Sequence, residues 1–274
     1  MTRNTIHSEI IIRAHRFCRD IRVARWWMGG DPLASAWFTA LSVSFPRGED
    51  FFIATLRAYR GDLPPRLAAD VRAFIAQEAN HAREHTLFNR LASEAGYDLT
   101  AIDARLLAFI AETSATSSFV NLVVTACLEH FTAIIAHDVL ARPDTFTGVA
   151  PEVLALWQWH ATEEIEHKAV AFDTWMYAAR RLSRWRRWKI RCLIMLKVTA
   201  LFVSHRTRDA LELMAQDGVT GHTAKRQLRR YLWGRDGALR RLVPAWARWF
   251  RPGFHPWNGH DQARIQTAKI EAIA

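Results

Sequence analysis

The sequence predicts an all-α protein of 274 residues, organised as one large domain or as one domain with an appendage. Three observations support this fold class. Hydrophobic residues make up 50% of the chain, Pro and Gly are sparse at 9 and 12 residues, and no run of alternating β-branched residues indicates a strand. Apolar residues recur instead at helical spacing in four main segments. Four such helices with short connections pack most naturally as an antiparallel bundle.

The first predicted elements lie ahead of the first turn. We expect residues 10–27 to form an additional helix against the bundle. Asp31 and Pro32 can open the first bundle helix, because Asp caps a helix N-terminus and Pro fits its first turn. Pro46 and Gly48 are expected to kink or restart this helix.

Three further helices complete the predicted bundle. A turn over residues 61–65 precedes the second helix, which is expected to end near Gly96. The third is expected over residues 114–140. The fourth is expected to start at Pro151 and to run to about residue 179.

Charge divides the chain near residue 180. Residues 1–179 contain 16 Lys and Arg against 21 Asp and Glu, whereas residues 180–274 contain 21 against 6. We therefore expect a helical bundle over residues 1–179 and a basic helical extension, rich in Trp and Arg, over residues 180–274.

A Glu-x-x-His motif occurs twice, as Glu78 with His81 and as Glu164 with His167. Residues three apart share a helix face, so each copy can present one carboxylate and one imidazole to a single ion. Two such helices facing each other would form a site for two metal ions. The bundle would then be the metal-binding part of the chain.

Two further glutamates, Glu49 and Glu129, each lie in an apolar segment ahead of one copy of the motif. This completes the ligand pattern of ferritin-like di-iron and di-manganese bundles. Four carboxylates buried on apolar faces without a cation would be very unfavourable. The sequence therefore predicts a ferritin-like four-helix bundle with a dinuclear metal site.

His160 is a candidate seventh ligand, because it stands four residues before Glu164 on the same helix face. The alternative is a core histidine that binds no metal. The neighbouring Glu163 and Glu166 point about 100° away per residue, so we expect them to be solvated, behind the ligands or paired with Arg. We expect Glu78 and Glu164 to be catalytic and to bridge or chelate the ions. The full set of expected metal ligands is Glu49, Glu78, His81, Glu129, His160, Glu164 and His167.

A competing motif overlaps the first copy. The segment His81-Ala-Arg-Glu84-His85 matches the inverted zincin pattern, in which two His residues bind zinc and the Glu is a general base. Glu129 or Glu164 could supply the third zinc ligand. This hypothesis leaves the second Glu-x-x-His motif unexplained and therefore ranks second.

Three functions are compatible with these ligands. The first is an O₂-dependent oxygenase or oxidase that acts on a small hydrophobic substrate with two metal ions, iron being preferred over manganese or zinc. The second is a metal-dependent hydrolase with a metal-activated water. The third belongs to a non-catalytic class and is iron storage or peroxide detoxification.

The cellular context is predicted from what the sequence lacks. The three cysteines form no Cys-x-x-Cys pair, which suits a reducing cytoplasm. The first 25 residues show no export signal, and no stretch reaches the length of about 18 uncharged apolar residues expected of a membrane span. We expect a cytoplasmic protein.

The basic extension allows two interpretations. Residues 184–203 would suit a helix on an anionic membrane surface, which would make the protein peripheral to the inner membrane. They would equally suit a long helix that covers the bundle, and we favour this packing role. No nucleic-acid motif is present. The expected partners are a small-molecule substrate, this anionic membrane surface and a second copy of the chain in a homodimer.

Four sequence segments resemble one known family. They are FPRGEDFF at 45–52, QEANHAREH at 77–85, HATEEIEHK at 160–168 and FHPW at 254–257. Together they resemble the bacterial proteins labelled predicted metal-dependent hydrolases, over about residues 19–261. This resemblance implies a metal-binding protein, and the label names hydrolysis as its reaction.

The ligand order is also similar to that of the ferritin-like di-iron N-oxygenases that act on aryl amines. In these enzymes a Glu, a Glu-x-x-His, a Glu and a His-x-x-x-Glu-x-x-His surround two irons. The similarity implies the same seven ligands as above, including His160. It is confined to ligand spacing, so it implies no substrate.

Overall fold

The computed structural model describes residues 9–258, and every regular element in this range is helical. The all-α prediction is therefore confirmed. The main helices are α1 (Pro32–Arg57), α2 (Pro65–Glu94), α3 (Thr100–Ser114), α4 (Ser118–Ala141), α5 (Pro151–His167), α6 (Val170–Ala178), α7 (Arg184–Gln216), α8 (Gly221–Trp233) and α9 (Val243–Arg248). Short 3₁₀ turns lie at Arg60–Asp62, Pro143–Phe146, Arg240–Leu242 and Pro256–Asn258.

Helix α1 starts as predicted but does not break where a kink or restart was expected. The side chain of Asp31 accepts hydrogen bonds from two backbone N–H groups of the first turn. The helix then continues through Pro46. Pro46 has no N–H to offer the carbonyl of Ser42, four residues earlier. The side-chain amide of Asn89 on α2 donates to that carbonyl at 3.1 Å, which explains how the helix tolerates the proline.

The segment before α1 is not a helix, so the expected helix over residues 10–27 is wrong. Its backbone N–H groups bond to bundle carboxylates instead of to its own carbonyls. Ile11, Phe17 and Cys18 donate to Glu166, Glu84 and Glu152, respectively. These long-range bonds take the place of backbone hydrogen bonds that a helix would have formed within the segment.

Two other boundaries differ from the prediction. Helix α3 lies in a stretch for which no helix was expected, and only Ile102 and Leu106 of its residues are buried, so its apolar signal is weak. The expected fourth helix is divided into α5 and α6 by a turn at Lys168 and Ala169. Neither Pro nor Gly marks this break in the sequence.

Helices α1, α2, α4 and the α5–α6 pair pack around one core, with α1 against α2 and α4 against α5 and α6. Helix α7 lies across α1 and α4. Its residues Met195, Val198 and Leu213 are buried and belong to the same hydrophobic core as the bundle. Helix α7, in the extension, therefore packs against the bundle.

Helix α4 is apolar enough to cross a membrane by length and composition alone, with a mean hydropathy of 1.7 over 18 residues. However, 67% of that stretch is buried inside the fold, and the helix carries the buried Glu129. The central helix of a bundle has the same composition, because it is covered on all sides.

A buried ion pair fastens α7 to the bundle. Arg206 contacts Asp209 at 2.7 Å, and its other guanidinium nitrogen donates to the carbonyl of Ala40 on α1 at 2.9 Å. Arg105 on α3 also contacts Asp209, at 3.0 Å. Asp209 thus joins α3, α7 and, through Arg206, α1.

We predict that Asp209→Ala lowers the free energy of unfolding by about 3–5 kcal/mol, because it leaves the buried Arg206 charge uncompensated. Urea unfolding followed by circular dichroism would measure this change. The control is Asp103→Ala, which removes an exposed pair with Arg47 and should cost less than about 1 kcal/mol. Equal losses in the two variants would contradict the assignment of this ion pair as a structural anchor.

Candidate metal centre

The structure brings the seven expected ligands together in the middle of the bundle. Glu49 comes from α1, Glu78 and His81 from α2, Glu129 from α4, and His160, Glu164 and His167 from α5. All seven side chains are buried, with residue exposures between 0% and 4%. Four helices therefore contribute to one cluster, as the motif spacing predicted.

Three overlapping groups in this cluster have the geometry of a metal site. In each group the potential ligand atoms lie within 4.8 Å of one another. The groups are Glu49 with His81 and His160, Glu78 with His81 and Glu164, and Glu78 with Glu129 and His167. The middle group shares His81 with the first and Glu78 with the third. The cluster is therefore continuous along the bundle rather than a set of separate sites.

The polar atoms that face the centre lack hydrogen-bonding partners. Both carboxylate oxygens of Glu49, Glu78 and Glu129 are buried and unpartnered. The same holds for Glu164 Oε2, His81 Nδ1 and His167 Nε2, although His167 Nε2 lies 3.0 Å from Glu78 Oε1 as an ion-pair contact. Buried polar atoms are rarely left unpartnered, because each one costs free energy. A cation at the centre would satisfy these convergent atoms, so the residues present fit a metal.

The pKa values of the four carboxyl groups reflect the cost of burying negative charge without a cation. Burial, together with the neighbouring carboxylates, raises the pKa of Glu49 and Glu129 well above the ordinary range. Burial also raises the pKa of Glu78. For Glu164 burial acts in the same direction, but His167 and His160 outweigh it and leave the pKa well below the ordinary value. Without a cation, burial thus disfavours the charged form of three of the four carboxyl groups.

Two ligand histidines are oriented by bonds on the side away from the centre. His167 Nδ1 donates to Gln77 Oε1 at 2.8 Å, and the Gln77 amide is fixed by donating to the carbonyl of Ile11 and to Glu166. His81 Nε2 donates to Glu163 at 3.1 Å. Each ring therefore directs its other nitrogen to the centre, as metal-binding histidines usually do. Despite burial, Glu164 and Glu78 raise the pKa of His167 well above its ordinary value, so this ring binds a metal only after losing a proton.

His160 is oriented by a longer chain of hydrogen bonds. The Ser42 hydroxyl donates to Asn89 Oδ1 at 2.6 Å, so its oxygen can accept from His85 Nδ1 at 2.8 Å. His85 Nε2 is then an acceptor for His160 Nδ1, 2.7 Å away. His160 Nε2 then faces Glu164 Oε1 at 3.0 Å, a pair that shares a proton when no metal is bound and that a cation between the two atoms would replace. This chain of hydrogen bonds supports the interpretation of His160 as a metal ligand rather than as a core histidine that binds no metal.

The inverted zincin hypothesis does not fit this geometry. Both nitrogens of His85 are used in the chain of hydrogen bonds just described. Glu84 contacts Arg19 at 2.5 Å and Arg83 at 2.7 Å, and it accepts from the backbone of Phe17. Glu84 thus holds the N-terminal segment and faces away from the centre.

The acidic neighbours Glu163 and Glu166 are buried, so the option that they are solvated is wrong, while pairing with Arg is confirmed. Arg13 contacts Glu163 at 3.2 Å and Glu166 at 2.8 Å. A charged side chain on an extended segment thereby compensates two carboxylates directly behind the ligands. The pairing required the N-terminal segment to lie across α5, which no periodicity indicated.

Sequence reasoning missed the residues that orient the ligands. Gln77, Ser42, Asn89 and Arg13 have side chains that occur commonly in any helical protein. Weak signals existed in spacing, since Gln77 directly precedes Glu78 and Asn89 follows His85 by one helical turn. Their partners lie on other elements, so only the fold reveals their function.

Aromatic rings surround the ligand imidazoles. Phe45 lies 4.9 Å from His160, Trp159 lies 4.9 Å from His81, and Phe74 lies 4.8 Å from His167, measured between ring centroids. These rings exclude water and keep the local dielectric constant low, which strengthens electrostatic interactions inside the site.

A surface cavity of about 810 Å³ lies beside the centre, with lining residues from α1, α2 and the start of α3. None of the seven ligands lines it. Its wall includes Asn89, the outer end of the hydrogen-bond chain from His160.

We predict that Gln77→Leu weakens metal binding by about 10–100-fold, because His167 loses the acceptor that fixes its orientation. Competition with a chromophoric chelator would measure the affinity. Gln158→Leu, an exposed position on α5, is the matched control and should bind metal as the unchanged protein does. An unchanged affinity in Gln77→Leu would show that the bond to His167 has no such function.

We also predict that metal affinity falls as the pH falls. Burial raises the pKa of Glu49, Glu78 and Glu129, and despite burial the neighbouring Glu164 and Glu78 raise that of His167. Metal must therefore displace protons, and each displaced proton contributes a slope of about tenfold in affinity per pH unit. Titrations at three pH values between 6 and 8 would measure the slope. A pH-independent affinity would contradict the prediction.

Comparison with known proteins identifies one family. The chain matches no curated protein and no solved structure. The ferritin-like assignment and the presence of iron therefore stay predictions. A family model described as "Predicted metal-dependent hydrolase" matches residues 12–260, which include all seven candidate ligands and most of the basic extension. The chain thus belongs to the family of predicted metal-dependent hydrolases.

Proposed function

We propose that the protein is a metal-dependent hydrolase with two first-row metal ions between α1, α2, α4 and α5. The observation that carries the proposal is the continuous series of three overlapping ligand groups. One ion would be held by Glu49, His81 and His160. The other would be held by Glu78, Glu129 and His167, and Glu164 lies where it can bridge both.

Among the candidate reactions we rank hydrolysis first because of the family assignment rather than because of the ligand geometry. From the ligand pattern alone, hydrolysis ranks second, behind an O₂-dependent reaction. Bound divalent ions would polarise the scissile group of a substrate and lower the pKa of a water molecule. This chemistry needs no redox change at the metal, so zinc or manganese would support it as well as iron.

The residues of the chain would have distinct functions in this reaction. Glu164, whose pKa is lowered, is the carboxylate best suited to stay ionised between the ions. Glu49 and Glu129 each have two unpartnered carboxylate oxygens, so one oxygen would hold an ion while the other accepts the proton that the attacking water loses. The three ligand histidines keep their N–H groups directed outward, so they bind metal and do not exchange protons with the substrate.

A second candidate function is favoured by the composition of the ligand set. Four glutamates and two histidines in two Glu-x-x-His motifs are the pattern of di-iron carboxylate bundles, to which His160 would add a third histidine. Iron in such a site would support O₂-dependent oxidation of a small hydrophobic substrate. The centre is fully buried, which suits a reactant as small as O₂.

We expect the purified chain to hold about two first-row metal ions, as measured by elemental analysis. Glu164→Ala and His167→Ala should lose metal as severely as Glu78→Ala and His81→Ala. The control Glu94→Ala changes an exposed carboxylate of α2 and should retain full metal content. One zinc ion that survives His167→Ala but not His85→Ala would favour the inverted zincin site instead.

The reaction class can be tested on the same proteins. Zinc- or manganese-loaded protein should cleave members of a panel of esters, amides and phosphoesters without O₂, and Glu164→Ala should abolish the cleavage. Glu94→Ala should have unchanged rates. If the metal-loaded protein cleaves none of them, but its reduced iron form consumes O₂ in a manner dependent on Glu164, the second candidate replaces the first.

A further inference from the structure

The outward face of α7 exposes large apolar side chains over its first half. Trp185, Leu193 and Leu196 are 51%, 67% and 51% exposed. With Lys189 and Ala200 they follow each other at intervals of three and four residues, so they form one stripe along the helix. We refer to residues 185–200 of this stripe as the α7 outer face.

The same stripe is covered further along the helix. From Val203 onward, α8 packs beside α7, and the two helices enclose a groove of about 500 Å³ with Leu211 of α7 and Leu228 of α8 in its walls. The groove is lined mainly by apolar atoms but also by the basic Lys225 and Arg229. Within residues 9–258, the second half of the stripe thus has a partner helix and the first half has none.

The charged residues in the first half of α7 are all basic. Arg186, Lys189 and Lys197 are exposed beside the apolar residues. No Asp or Glu occurs in the sequence between residues 180 and 208, or between 218 and 235. An apolar stripe flanked only by basic residues is the composition of a helix that lies in the plane of an anionic lipid surface.

We propose that the α7 outer face docks on an anionic phospholipid bilayer. Leu193, Leu196 and Trp185 enter the boundary between headgroups and acyl chains, and the flanking Lys and Arg side chains contact lipid phosphates. A second copy of the chain fits this face less well, because it would bring the same positive charge against it. A nucleic acid would leave the leucines without an apolar partner. This inference does not depend on the reaction at the metal centre.

Co-sedimentation of the full chain with vesicles tests the proposal. We expect binding to vesicles of phosphatidylglycerol and phosphatidylcholine, little binding to phosphatidylcholine alone, and release in high salt, because attraction to surface phosphates is screened. Lys189→Glu with Lys197→Glu should weaken binding by roughly 30-fold or more, given the contribution of each basic residue near an anionic bilayer. Leu193→Ser with Leu196→Ser should also weaken it, at unchanged net charge.

Two matched controls separate this face from general properties of the chain. Arg57→Glu with Arg72→Glu makes the same change in net charge at exposed positions on α1 and α2, and Leu107→Ser replaces an exposed leucine on α3. Both should bind vesicles as the unchanged protein does. The proposal is overturned by equal binding to neutral and anionic vesicles, by no binding to either, or by equal weakening in the controls. It is also overturned if the leucine variant splits a dimer in analytical ultracentrifugation, since the occupant is then a second copy.

Discussion

The burial of four carboxylates at the centre of one bundle is the constraint on which the rest of the structure depends. Glu49, Glu78, Glu129 and Glu164 face one another in a space that water does not reach. Only imidazoles lie between them, and the guanidinium of Arg13 is already paired behind the ligands. A carboxylate in such a place is stabilised either by a proton or by a metal ion. The raised pKa values of three of the four carboxyl groups are consistent with stabilisation by a proton. The convergent oxygens, which lack hydrogen-bonding partners, fit a metal ion.

The residues that position the ligands also link separate elements of the fold. Asn89 donates to the carbonyl of Ser42, which Pro46 leaves without a helical partner, and its oxygen accepts from the Ser42 hydroxyl. That hydroxyl sets the tautomer of His85 and, through it, the orientation of His160. A proline inside α1 is thereby linked to the geometry of a ligand on α5. Gln77 makes a similar link, because it joins the N-terminal segment to His167.

The ligands were predictable from the sequence because helical periodicity is local. Glu78 and His81 share a face of any helix that contains them, whatever that helix packs against. The N-terminal segment was not predictable in this way. Its apolar residues are compatible with a helix, and only the carboxylates of α2 and α5 make an extended path more favourable by accepting its backbone N–H groups. The break between α5 and α6 also lacks a local cause, since a turn at Lys168 has no Pro or Gly to announce it.

The basic extension follows from the composition of α4. This helix contributes Glu129 to the centre on one side and is mainly apolar on the others, so its remaining faces need a cover. Helix α7 supplies that cover, with Phe202 stacked on Phe131 of α4 at 4.9 Å between ring centroids. A helix that covers a core on one side must present its other side to the surroundings. Where α8 does not continue the layer, that other side carries Leu193 and Leu196 among basic residues, so a packing role and a surface role occupy opposite faces of the same helix.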